Sequence, residues 1–85
     1  MFDEAEARTQ RAVDAIVAYL RLRPLSADSE QGIAQWWLPD LGMDLPLADV
    51  RAALDRLVKN NVMQRSTLPD GRVIYRAMPA TQTTR

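Results

Sequence analysis

Apolar residues recur at helical spacing over three stretches of the chain, and at β-compatible spacing near its C-terminal end. Ala12, Val13, Ile16, Val17 and Leu20 fall three and four apart, the repeat of one buried helix face. Asp3 followed by Glu6 supplies a D-x-x-E start, and Pro24 removes a backbone donor and restricts its predecessor. A first helix is therefore predicted from Asp3 to about Arg23. Before Ala12 the stripe thins to Ala5 and Thr9, so residues 3–11 are expected to extend into solvent or onto a partner.

A second helix is predicted over about Ser29–Leu38, capped by Asp28 with Gln31 at the reciprocal position, and ending before Pro39. At about 100° per residue, Trp36 and Trp37 lie on either side of Ile33, so both indoles can join one broad stripe. Core packing accounts for such a stripe. A partner pocket does so too, since tryptophan is enriched at binding surfaces. Gly32, inside the helical pattern, is read as permitting close packing. Residues 39–45 form a loop from which Leu41, Met43 or Leu45 should plug the core.

The third helix starts near Pro46 and buries Val50, Ala53, Leu54, Leu57 and Val58. It ends around Asn60-Asn61, where asparagine can take the left-handed turn. Two β-compatible runs, 62–67 and 72–77, flank Leu68-Pro69-Asp70-Gly71. Pro69 suits the second position of a type I turn, and Gly71 the left-handed closing position. A short edge strand at Leu25 would support a hairpin that is marginal alone. Residues 79–85 lack any apolar pattern and are expected to be a disordered tail.

Eighty-five residues make one domain, here 3–78, and 47% hydrophobic with 26% charged residues is ordinary globular composition. The chain has no cysteine and no histidine, which excludes disulfides, thiolate or imidazole metal sites and Cys- or His-based nucleophilic catalysis. Asp3/Glu6 and Asp28/Glu30 stand where helix capping accounts for them, and no Gly-rich phosphate loop accompanies them. No enzymatic activity, metal or cofactor is expected. No apolar run approaches the ~20 residues of a membrane span, and the acidic start is unlike a signal peptide, so a cytoplasmic location is expected.

Charge changes the picture more than composition does. Formal net charge is zero, yet residues 1–45 hold four cations against eight carboxylates. Residues 46–76 hold Arg51, Arg56, Lys59, Arg65, Arg72 and Arg76 against Asp49, Asp55 and Asp70, an excess of three positive charges. The third helix and hairpin are thus the basic pole.

The run Leu45-Pro46-Leu47-Ala48-Asp49-Val50, with Ala53-Leu54, Leu57, Asn61-Val62, Arg65, Asp70-Gly71-Arg72 and Tyr75, resembles the winged helix-turn-helix superfamily of bacterial transcription regulators, MarR-like and PadR-like proteins among them. The resemblance covers residues 12–77 and implies an α+β domain of three helices followed by a two-stranded β-hairpin wing. It implies that the third helix (46–60) enters the major groove of duplex DNA and that the wing (62–77) touches phosphates. Carried onto this chain, the DNA-contacting set is Arg51, Arg56, Lys59, Arg65, Arg72 and Arg76. A homodimer through the first helix would supply a second half-site. One departure is the Trp36-Trp37-Leu38 segment, which adds about a turn before the loop. Another is the outward face of the third helix, with Ala48, Ala52, Asp55 and Lys59 where a base reader carries Arg, Asn or Gln. The alternative expectation is a winged-helix module for protein–protein contact, which an exposed Trp36 or Trp37 would favour.

Overall fold

A computed structural model describes residues 3–79; of the expected tail only Pro79 lies within them, and residues 80–85 fall outside. Helix α1 (Glu4–Leu22) starts on Asp3, whose Oδ1 accepts from the Ala5 amide at 3.0 Å. Strand β1 (Ala27–Asp28) follows the Pro24 turn. Helix α2 covers 30–40 without interruption, as Glu30–Gly32, a π-helical turn Ile33–Trp37, and Leu38–Asp40. Helix α3 (Leu47–Lys59) leads into β2 (Met63–Thr67) and β3 (Val73–Ala77). The domain is α+β, with three helices and one antiparallel three-stranded sheet ordered β1-β3-β2.

The sheet has a third strand beside the two of the hairpin, as the expected edge support requires, but not at the expected place. The third strand is Ala27–Asp28, paired as Ala27↔Arg76 and Asp28↔Tyr75, while Leu25 stays in the preceding turn and is 97% exposed. The hairpin itself is as expected: Met63↔Ala77 through Thr67↔Val73, closed by Pro69 and by Gly71 at φ 91°.

Helices α2 and α3 both end on a left-handed stop. After α2, Gly42 (φ 76°) lets the Met43 amide reach the Leu38 carbonyl and the Gly42 amide the Pro39 carbonyl, each at 2.9 Å. After α3, Asn61 (φ 62°) does the same: the Val62 amide donates to Leu57 O at 2.9 Å and the Asn61 amide to Val58 O at 3.1 Å. These turns satisfy orphan carbonyls and set the angles at which α3 and β2 leave.

Helix α2 departs most from expectation. It continues through Pro39 to Asp40, because the turn before it is π-helical. The Leu38 amide donates five residues back, to Ile33 O. A widened turn relieves the clash a proline ring makes with the carbonyl four residues earlier. Its other consequence is a change of phase. At roughly 80° per residue instead of 100°, Trp37 stays within about 40° of Ile33 while Trp36 moves from about 60° to about 120° away. Trp37 is 3% exposed and Trp36 69%. The two indoles do not share one stripe.

The N-terminus of α2 is capped by Ser29, whose Oγ accepts from the Gly32 amide at 3.1 Å, rather than by Asp28. Asp28 instead accepts from the Ser29 amide at 2.8 Å, and its carboxylate fills the space a Gly32 side chain would need. Close packing is thus the reason for this glycine. Gly32→Ala, ordinarily a gain of about 0.5–1 kcal/mol in a helix, is expected to lower the melting temperature. In an Asp28→Ala background the same change should raise it, a sign reversal that thermal unfolding of the four variants reads directly.

One core unites the elements. Ala12, Val13, Ile16 and Leu20 from α1 meet Ile33, Trp37 and Leu38 from α2, Val50, Ala53, Leu54 and Leu57 from α3, and Met63 and Tyr75 from the sheet. Leu41, Met43 and Leu45 all pack against it from the α2–α3 loop. The first turns of α1 pack on α3 along one side: Thr9 is buried, and Glu6, Arg8 and Gln10 engage α3 within the same chain.

Candidate nucleic-acid interface

Helix α3 turns Val50, Ala53, Leu54 and Leu57 inward, and this leaves Ala48, Arg51, Ala52, Asp55 and Lys59 exposed. The hairpin stands beside that face because the Asn61 turn carries the chain straight from α3 into β2. Strand alternation then decides which wing cations join it. Arg65 lies opposite Tyr75, whose ring is in the core, so Arg65 leans toward α3. Arg76 lies opposite Gln64, on the other side of the sheet.

Two of the three cations on the α3 face, Arg51 and Arg65, are already bound to carboxylates. Arg51 donates from Nε and Nη2 to Glu30 Oε2 at 3.0 and 2.7 Å. That hydrogen bond raises the guanidinium pKa above its ordinary value. One turn further along, Asp55 accepts from Arg65 Nη2 at 2.7 Å. Arg65 Nε also donates to the Tyr75 hydroxyl at 3.2 Å, and its guanidinium lies 5.3 Å from that ring's centroid. Glu30, Arg51, Asp55 and Arg65 thus alternate in sign across the exposed face and sum to zero.

The remaining expected contacts scatter. Arg56 faces α1, where it donates to Glu6 Oε1 at 2.7 Å and Gln10 Oε1 at 3.2 Å, and it holds the Glu6 carboxyl below the usual range. Arg8 Nε stands 3.4 Å from Asp49 Oδ2 on the same flank. At the hairpin tip Arg72 turns back on Asp70, through its amide at 3.0 Å and its Nε at 2.8 Å. The amide bond first, then the guanidinium, holds the Asp70 carboxyl low. Lys59 and Arg76 have no ion pair among the described residues. The six cations expected to form one DNA surface therefore occupy four places, and four of the six are neutralised.

The direction of these shifts fixes a pH dependence. Glu6 and Asp70 titrate lower folded than unfolded, so their contribution is present above the unfolded carboxylate pKa and lost as pH falls through the folded one. With no histidine in the chain, the melting temperature should be flat from about pH 6 to 9 and fall below about pH 4.5. The loss should be small, because ion pairs open to water are screened and contribute little. Melting curves over that range check both features.

Large apolar groups remain in solvent elsewhere. Trp36 projects from α2, while its neighbour Trp37 stacks on Tyr19 with centroids 4.7 Å apart. Leu22 and Leu25 flank the α1–β1 turn, and Val62 and Met78 flank the hairpin's open end. The outward side of α1 carries Glu4, Arg8, Arg11, Asp14 and Arg21, a largely polar surface. The exposure of Trp36 was beyond a regular helical wheel; the adjacent bulky pair Trp36-Trp37 before a proline is the one signal that could have suggested an irregular turn. No helix among the described residues is long and apolar enough to cross a membrane. Comparison with known proteins returns no match: no family model, no curated protein and no solved structure is similar to this chain.

Proposed function

We propose that this domain is a winged-helix module whose role is protein–protein contact, with Trp36 as the anchor of the contact surface. The exposure of Trp36 carries the reading. An indole left 69% in water on a helix whose next residue is buried has no folding role, and it is the side-chain type most enriched at interface centres. The pairing of Arg51, Arg56, Arg65 and Arg72 with carboxylates supports the same reading, since a surface with little excess charge releases few counterions on meeting DNA.

Duplex-DNA contact, by a bacterial regulator of the winged-helix kind, is the second reading. The placement of α3 beside a hairpin favours it, as does the Arg72 side chain, 71% exposed at the tip and able to exchange Asp70 for a phosphate. Fluorescence anisotropy on random-sequence duplexes separates the two. The protein-contact reading expects no saturable binding at about 0.15 M salt. Saturable binding there, falling steeply as salt is raised and weakened by Arg72→Ala and Arg51→Ala, would reverse the order of the two readings.

A further inference from the structure

The hairpin tip carries the only Asp-Gly step in the chain: of eight aspartates, Asp70 alone is followed by glycine. At such a step the main-chain nitrogen after the aspartate can attack the side-chain carboxyl carbon, because glycine puts no Cβ in the way. Asp70 and Gly71 are both exposed. A Cβ built on Gly71 would meet nothing within 4 Å, so no other part of the described chain walls off the space a ring would occupy.

The reaction open to this pair balances with water alone. The Gly71 nitrogen bonds to the carboxyl carbon of Asp70, the amide hydrogen and the hydroxyl of the protonated carboxyl leave as water, and a succinimide closes. Water then opens the ring. Attack at the side-chain carbonyl carbon returns aspartate. Attack at the main-chain carbonyl carbon leaves Gly71 joined through the side chain, an isoaspartate whose backbone is longer by one carbon and whose free carboxylate is the former main-chain carbonyl.

The fold restrains both reacting groups. The Gly71 amide donates to Leu68 O at 2.8 Å. Asp70 Oδ1 accepts from the Arg72 amide at 3.0 Å, and Oδ2 from Arg72 Nε at 2.8 Å. Each carboxyl oxygen thus holds one bond to Arg72, and whichever oxygen leaves as water must give its bond up. These bonds also keep the carboxyl ionised, whereas the leaving group belongs to the protonated form. We propose that Asp70-Gly71 is an isoaspartate-forming site whose rate is set by Arg72, a positioning residue that holds the carboxylate off the Gly71 nitrogen. While the guanidinium grips Asp70 the turn keeps its chemistry, and when the guanidinium is drawn away the turn rearranges. The added carbon opens the Leu68–Gly71 turn. Damage stops at the tip, because Met63 and Tyr75 anchor the far half of the ladder in the core. The site lies beyond the contact reading and uses neither Trp36 nor α3.

The test incubates the full chain, Arg72→Ala and Arg72→Lys in neutral buffer beside the free peptide Ac-Ser-Thr-Leu-Pro-Asp-Gly-Arg-Val-NH2, which carries residues 66–73 without the fold. Isoaspartate is counted with an isoaspartyl methyltransferase and labelled S-adenosylmethionine, and located on the tryptic fragment that starts at Ser66. It should form at Asp70, fastest in the peptide and slowest in the parent chain. Arg72→Ala should exceed the parent by about two- to tenfold, the range in rate that one net hydrogen bond spans. Arg72→Lys keeps a cation and should fall between the two, a rescue that mere loosening of the turn does not give. Equal rates in the parent and Arg72→Ala, a parent as fast as the peptide, or Arg72→Lys as fast as Arg72→Ala would each overturn the proposal. So would isoaspartate at another aspartate in place of Asp70, or none in Arg72→Ala once half the peptide has converted.

Discussion

Trp37→Ala is expected to unfold this domain near its normal working temperature, while Trp36→Ala leaves the melting temperature within a few degrees of the parent. The indole of Trp37 is 3% exposed and stacked on Tyr19 at an interplanar angle of 12°. Truncating a buried tryptophan costs roughly 3–5 kcal/mol, and loss of an aromatic stack adds up to about 1.5. A chain of this length holds roughly 4–13 kcal/mol in total. A fall of roughly 12–40 °C in melting temperature follows from the truncation alone, at 4–8 °C per kcal/mol for small domains. Differential scanning calorimetry on the two single variants reads the contrast. Equal destabilisation by both would mean that the π turn does not set the phase described here.

Leu54→Ala should be the other severe variant. Leu54 is fully buried on α3 and belongs to the cluster that joins α1, α2, α3 and the sheet. The truncation should cost roughly 2–5 kcal/mol, the spread depending on how far the neighbours collapse into the space. Urea unfolding should show the midpoint falling with the slope unchanged, as for a two-state domain that keeps its fold. The comparison variant is Ala52→Ser, two residues away on the exposed face, which should change stability by less than about 0.5 kcal/mol. A small effect of Leu54→Ala would show that α3 is not docked as described.

These effects show where the sequence is legible. The stripe of α3, the left-handed stop at Asn61 and the Pro69–Gly71 turn rest on local rules, each satisfied within a few residues, and each is found as expected. The third strand was only half readable. Its existence follows from a hairpin's need for support, but Ala27–Asp28 carry no alternating pattern, and their pairing is fixed by Arg76 and Tyr75 nearly fifty residues away. The π turn was not readable from a wheel that assumes constant phase, so the two tryptophans were assigned to one face when they belong to two.

The cationic set shows a different limit. Counting charges locates the cations along the chain, yet a charge count does not say where a partner lies. Glu6 and Glu30, far off in sequence and on the acidic half, are brought onto α3 by the packing of α1 and α2. Only Asp70 with Arg72, two residues apart, could be paired by eye; the helical spacing of Arg51 and Asp55 suggests a pair that does not form, since Arg51 goes to Glu30 and Asp55 to Arg65. Arg76 fell on the far side of the sheet by simple alternation, which the hairpin register would have disclosed. The acidic excess of residues 1–45 is thus partly used inside the molecule, to neutralise its basic pole.

The central claim is that the working surface is the Trp36 side of α2 and not the α3–hairpin face. Photo-crosslinking in the producing cell tests it in one measurement, with benzoylphenylalanine placed either at Trp36 or at Ala52, the exposed centre of α3. The account predicts a discrete protein adduct from position 36 and no nucleic-acid adduct from position 52. A DNA adduct from position 52, with no protein adduct from position 36, would contradict it.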